Sequence, residues 1–319
     1  MYIAQAFNYL HDWWRYIIGA IVVFAMSQLG ALPFIFIAMM KAREDGMGME
    51  VLDDPEAIMG ILDSNLTLFL MLFSFAIGML ALWLVVKYFH KQPLKTVTTS
   101  RKKVDWGRIW FGFFLIAGVT TVLTILDYYT NSEDYVLQFN LVPFLILAAI
   151  ALIMIPIQTS FEEYLFRGYL MQGIGTMTKN RWAPLLITSI VFGGLHIMNP
   201  EVEKLGMIIM VYYIGTGLFL GIITLMDEGM ELALGFHAGN NIIAALLVTA
   251  DWTVFQTNSV FKDISEPSAG LDVLAPVLIV YPIFIGIMAW RYKWKGWGAK
   301  LIGPVHPPQS QEQEESMTV

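Results

Sequence analysis

Stretches of about twenty apolar residues recur along the whole of this 319-residue chain, and an α-helix needs about that many to cross the roughly 30 Å hydrocarbon core of a bilayer. Eight such stretches can be read: Tyr16 to Met40, Leu66 to Val86, Ile109 to Ile125, Phe139 to Ile157, Trp182 to Met198, Leu205 to Met226, Met230 to Val248 and Val273 to Trp290. Helices satisfy their own backbone hydrogen bonds, which is what lipid demands of a spanning segment. The expected fold is therefore all-α, a polytopic membrane protein of about eight transmembrane helices forming one domain over residues 1–302. Pro33, Pro143, Pro156 and Pro184 fall in or near these stretches and are expected to kink helices rather than end them. From Gly303 the chain turns polar, with Pro307, Pro308 and a Gln/Glu run, so residues 303–319 are expected to form a disordered cytoplasmic tail. The first residues mix Gln5, Asn8, His11 and Asp12 with aromatics and lack the clean apolar core of a cleavable signal, so the first stretch is expected to remain in the protein.

The 19 Lys and Arg residues test this count, because cytoplasmic loops carry the positive excess. Numbered alternately, the connections on one side hold only Lys41, Arg43, Lys204 and Lys262, and every other basic residue falls on the opposite side. An odd number of spans would scramble that asymmetry. Both termini are thus expected in the cytoplasm, and a compact chain without organelle-targeting signals is expected in a bacterial inner (plasma) membrane. A net charge of −7 leaves no cation excess to neutralise phosphates, which excludes nucleic acid as a partner. With no cysteine, disulfides, thiolate ligands, cysteine nucleophiles and lipidated cysteines are excluded as well.

Ionisable side chains inside apolar spans are costly, so each is a functional candidate. Three clusters qualify: Glu162-Glu163 with Arg167 just after the fourth stretch, Phe192 with His196 in the fifth, and His237 with Asn241 in the seventh. On a helix Glu163 and Arg167 share a face, whereas Glu162 is turned about 100° away. One glutamate is then held by arginine and the other is free to react. Burial and neighbouring cations together decide whether such a carboxylate serves as a general base. Phe192 and His196, like His237 and Asn241, are four apart, so two helices each aim an imidazole at the bundle interior, and Gly193, Gly194 and Gly239 permit close helix approach. A single membrane histidine is more readily a packing or hydrogen-bonding residue. That bland reading weakens when the only two histidines in spans accompany the only Glu-Glu pair.

Glu162-Glu163-x-x-x-Arg167, Phe192-x-x-x-His196 and His237-x-x-x-Asn241, in this order on successive membrane segments, resemble the three-motif signature of the CAAX protease and bacteriocin-processing family, which includes the type II CAAX prenyl endopeptidases. The motifs occupy residues 162–241. The resemblance implies an intramembrane protease whose cavity opens to the cytoplasm. It further implies that Glu162 with His196 activates the attacking water, that His237 and Asn241 stabilise the oxyanion, and that Glu163, Arg167 and Phe192 support the site. Its substrate is implied to be a peptide or protein reached within membrane lipid, such as a prenylated C-terminus or a bacteriocin leader. Glu162, His196 and His237 also make an acceptable zinc set. Lacking a His-Glu-x-x-His helix, the chain is nevertheless expected to work without a cofactor. The competing readings are a proton- or ion-coupled transporter using the same residues as a relay, and a non-proteolytic bacteriocin-immunity protein. If α-helices are straight, His196 lies deeper than His237, so the motif segments are expected to protrude into the cytoplasm or to kink near Pro156 and Pro184.

Overall fold

The computed structural model describes residues 1–308 apart from Asp53 and Ala269. It is mostly helical, and each expected apolar stretch falls on a helix. These are α1 Trp13–Glu44, α2 Ser64–Phe89, α3 Trp106–Thr130, α4 Leu141–Thr178, α5 Trp182–Gly194, α6 Ile209–Asp227, α7 Glu231–Leu247 and α8 Val273–Tyr292. Six of them are long and apolar enough to cross a membrane. The other two, α5 with 13 residues and α7 with 17, carry the histidine motifs and are shorter than a full crossing. Local chemistry sets several starts. Asp63 caps α2 by accepting from the Asn65 and Leu66 amides at 3.0 and 3.2 Å, and Asp105 caps α3 by accepting from the Arg108 amide at 3.3 Å.

The expected all-helical fold needs one addition. A small sheet of Tyr135–Leu137 (β1), Val248–Thr249 (β2) and Phe261–Asp263 (β3) is ordered β1-β3-β2, with β1 antiparallel and β2 parallel to β3. It closes the end of the bundle opposite the arginine-rich one. Within the expected tail, Val305 is buried among Ile3, Leu185 and Leu225 and its amide donates to the Lys179 carbonyl at 2.9 Å. The remainder of the expected tail, residues 309–319, lies outside the described residues.

Helix α4 resolves the depth problem without a break at Pro156. At 38 residues it is about 57 Å long, nearly twice the hydrocarbon thickness, so part of it must extend beyond the bilayer. After a left-handed residue at Lys179, α5 returns alongside it for about 20 Å, which brings His196 back to the level of Glu162. Helix α7 starts from the same end as α5 and reaches this level lying against α3. Glycine makes that approach feasible: a side-chain carbon on Gly235 would fall 1.8 Å from the Ile109 carbonyl oxygen, and one on Gly239 would fall 2.7 Å from that of Phe113. Gly193 likewise sits against Ile214 of α6, whereas Gly194 meets nothing and has no packing role.

One end of the bundle collects the arginines. Arg101 binds Asp227 and Glu231, Arg108 binds Asp227 and Asp105, and Arg181 binds Glu228. The N-terminal turn Ile3–Asn8 is tucked into the same end, where the buried Tyr2 hydroxyl donates to the Val97 carbonyl and lies within hydrogen-bond distance of that of Arg167.

Candidate active site

Immediately after Glu162 and Glu163 the α4 backbone changes to π-helical pairing over Tyr164–Leu170, a local widening of the helix often found at functional sites. The expected pair forms across it. Arg167 Nη1 donates to Glu163 Oε1 at 2.9 Å, and both side chains are fully buried. The guanidinium has two further contacts, Nη2 donating to the Gly217 carbonyl at 3.2 Å and the plane 4.3 Å from the centre of the Phe192 ring, while Nε is buried without a hydrogen-bond partner. Phe192 thus packs on the cation and also lines the cavity described below.

The same Glu163 oxygen receives a second donor from α7. His237 Nδ1 is 2.8 Å from Glu163 Oε1, and since a carboxylate only accepts, Nδ1 carries a proton. This fixes the ring and turns Nε2 toward Glu162, whose Oε2 is 3.4 Å away. Glu162 makes no hydrogen bond of its own among the described residues. His196 stands at the end of α5, with Nδ1 donating to the Phe192 carbonyl at 2.8 Å and its ring stacked on Tyr213 at 4.4 Å. Its Nε2 is thereby an acceptor. No hydrogen bond joins Glu162 to His196; both face one cavity.

That cavity has a volume of about 670 Å³ and brings together Glu162, His196, His237 and Asn241. Asn241 is oriented by two residues absent from the sequence reading. Asn240 Nδ2 donates to Asn241 Oδ1 at 3.1 Å, and Asn241 Nδ2 donates to Gln158 Oε1 at 3.2 Å. One Nδ2 hydrogen is left for the cavity. Gln158 lies one helical turn before Glu162, so the i, i+4 rule that paired Glu163 with Arg167 also marks it. Glu201, on the short turn Pro200–Leu205, is a further wall residue without any motif spacing to announce it. Phe24 and Phe75 form an apolar wall opposite, and Phe24, Leu195 and Met198 at the rim are exposed on the surface of the bundle.

Among the described residues no group of three or more His, Asp or Glu side chains is arranged to hold a metal ion. The arrangement instead offers two acceptors, Glu162 and His196 Nε2, across from two nitrogens with directed donors, His237 and Asn241. Such a layout suits a water and the oxygen of a polarised carbonyl.

Comparison with known proteins points to a family on the same segment of the chain. The sequence profile for type II CAAX prenyl endopeptidase Rce1-like proteins matches residues 140–243, the interval from α4 to α7 that supplies all four cavity residues. The uncharacterized protein YyaK of Bacillus subtilis (strain 168) is 31% identical over 284 residues, covering 88% of this chain and 92% of its own length. No solved structure matches.

Proposed function

Because this chain belongs to the CAAX protease and bacteriocin-processing family, we propose that it is an intramembrane endopeptidase that hydrolyses a peptide bond of a membrane-associated substrate with a glutamate-activated water. The observation that carries the reading is the double use of Glu163: one buried oxygen holds both Arg167 and His237, so the imidazole is preset beside Glu162. In the reaction, a water accepted by Glu162 and His196 Nε2 attacks the scissile carbonyl as Glu162 takes its proton. Asn241 Nδ2–H donates to the oxygen on which charge develops, and so does the Nε2–H of His237 as an imidazolium whose Nδ1–H stays on Glu163. Glu162 then returns the proton to the leaving amine as the carbon–nitrogen bond breaks, which balances the hydrolysis.

The exposed rim of Phe24, Leu195 and Met198 supports entry of the substrate from lipid. Arg101, Arg108 and Arg181 at one end of the bundle support a plasma-membrane orientation with that end in the cytoplasm. The test is cleavage of a mass-coded library of prenylated, leader-like and transmembrane peptides by the full chain in lipid nanodiscs. Glu162→Gln is expected to lower kcat at least about 100-fold, and wild-type cleavage is expected to survive a chelator. Retention of wild-type cleavage by Glu162→Gln would sink the assignment of the base.

A further inference from the structure

The walls of the cavity carry an unbalanced charge. Its carboxylates are Glu162 and Glu201, its imidazoles are His196 and His237, and no Lys or Arg lines it. Arg167 is the cation beside it, yet that guanidinium is closed off by Glu163, the Gly217 carbonyl and the Phe192 ring. Glu201 is the acidic group to which the chemistry above gives no task. Its Oε1 accepts the Val254 amide at 2.8 Å, which ties the loop after α7 to the turn after α5, while Oε2 is buried without a hydrogen-bond partner. A carboxylate withdrawn from water with one oxygen unanswered is costly, and a cation brought against it recovers the loss.

On the protease reading just given, we propose that Glu201 is a specificity residue and that the substrate segment seated in the cavity carries a basic side chain, lysine or arginine, within a few residues of the scissile bond. Geometry favours a long, stemmed cation. Leu195 and Met198 offer apolar surface for the methylenes, and the Tyr213 ring, stacked on His196, lies beside the path to Glu201. Burial pushes the Glu201 carboxyl above its ordinary range, as expected for a carboxylate with no cation at hand; an incoming ammonium or guanidinium favours its ionised form. The same inventory disfavours a free C-terminal carboxylate close to the scissile bond, because no cavity cation is placed to receive it.

Binding and cleavage separate this proposal from the reading beneath it. Peptides with one fixed apolar segment and a single varied position carrying lysine, norleucine or glutamate are titrated against full-length Glu162→Gln in nanodiscs, and their cleavage is followed with wild type. Lysine is expected to bind about ten- to a hundred-fold more tightly than norleucine, and glutamate more weakly than either. In Glu162→Gln/Glu201→Gln the lysine-to-norleucine ratio is expected to fall toward one. Glutamine preserves shape and hydrogen bonding there, so a collapse of the ratio reports charge rather than folding. Equal binding of lysine and norleucine, or a lysine preference that survives Glu201→Gln, overturns the proposal whatever the cleavage result. A lysine preference without wild-type cleavage would uphold the basic-segment site and overturn the protease reading instead.

Discussion

Two clusters in this protein place nearly inaccessible carboxylates beside arginine, and they are completed differently. At the arginine-rich end every oxygen is answered: Asp227 accepts from Arg101, Arg108 and the Trp294 indole, and Glu231 accepts from Arg101 and the Asp105 amide. In the cavity wall Glu163 takes both its donors on one oxygen and leaves the other unpartnered, Glu162 has only the His237 nitrogen at 3.4 Å, and Glu201 has one amide. The first cluster joins α3, the segment after α2, the α6–α7 turn and the chain beyond α8, and has nothing left to offer a ligand. The second is short of donors where the fold opens a cavity. Burial and arginine alone therefore do not separate a fastening from a reactive site; the unanswered acceptors do.

The comparison breaks most visibly at Glu163. Glu163→Gln keeps the shape but removes the charge that holds Arg167 and fixes the His237 proton on Nδ1. Turnover is expected to fall about 100-fold or more, and the thermal midpoint is expected to fall as well, because Arg167 is left buried without its counter-ion. Single-turnover kinetics on the folded fraction, set beside a melting curve, reads both effects. A variant that loses stability yet keeps turnover per folded molecule would reduce Glu163 to a fastening like Asp227.

The reverse experiment is at the other end. Asp227→Asn leaves Arg101 and Arg108 without the carboxylate they share, at a position where the acidic side chain is almost fully buried. Breaking such a buried cluster costs about 3 kcal/mol or more, to be read as a lowered denaturation midpoint. Cleavage per folded molecule is expected to stay at the wild-type value, since neither arginine reaches the cavity.

These two clusters also mark what could be read from sequence. The Glu163–Arg167 pair was legible because both partners lie on one helix and the 3.6-residue period puts them on one face. So were the apolar stretches, each of which is a helix. The second partner of Glu163 was not legible, since His237 is 74 positions away and arrives only because Gly235 and Gly239 let α7 press onto α3. Arg101 and Asp227, 126 positions apart, are the same kind of contact. Apolar length marks six of the eight stretches as long enough to cross a membrane, while α5 and α7, which carry the histidine motifs, are helices of 13 and 17 residues. Glu201 escaped notice because it follows the fifth stretch on a short turn and belongs to no spacing rule.

The smallest expected effect sharpens the comparison at its solvent edge. Asp105 sits at the rim of the arginine cluster, partly exposed, where burial would raise its carboxyl but the hydrogen bonds and charge of Arg108 prevail and hold it below the ordinary carboxylate range. A carboxyl whose folded value is depressed contributes stability that is present above the unfolded value, about 3.9, and that is lost as pH falls through the folded value. Asp105→Asn is therefore expected to lower stability at neutral pH by no more than about 1 kcal/mol, because solvent screens a half-exposed pair. The gap to wild type should close on the acid side. Denaturation midpoints of both proteins from neutral pH down through the carboxylate range supply the measurement. A gap that persists below the folded value would overturn the charge assignment, since an asparagine cap keeps the hydrogen bond to α3 and differs from aspartate in charge.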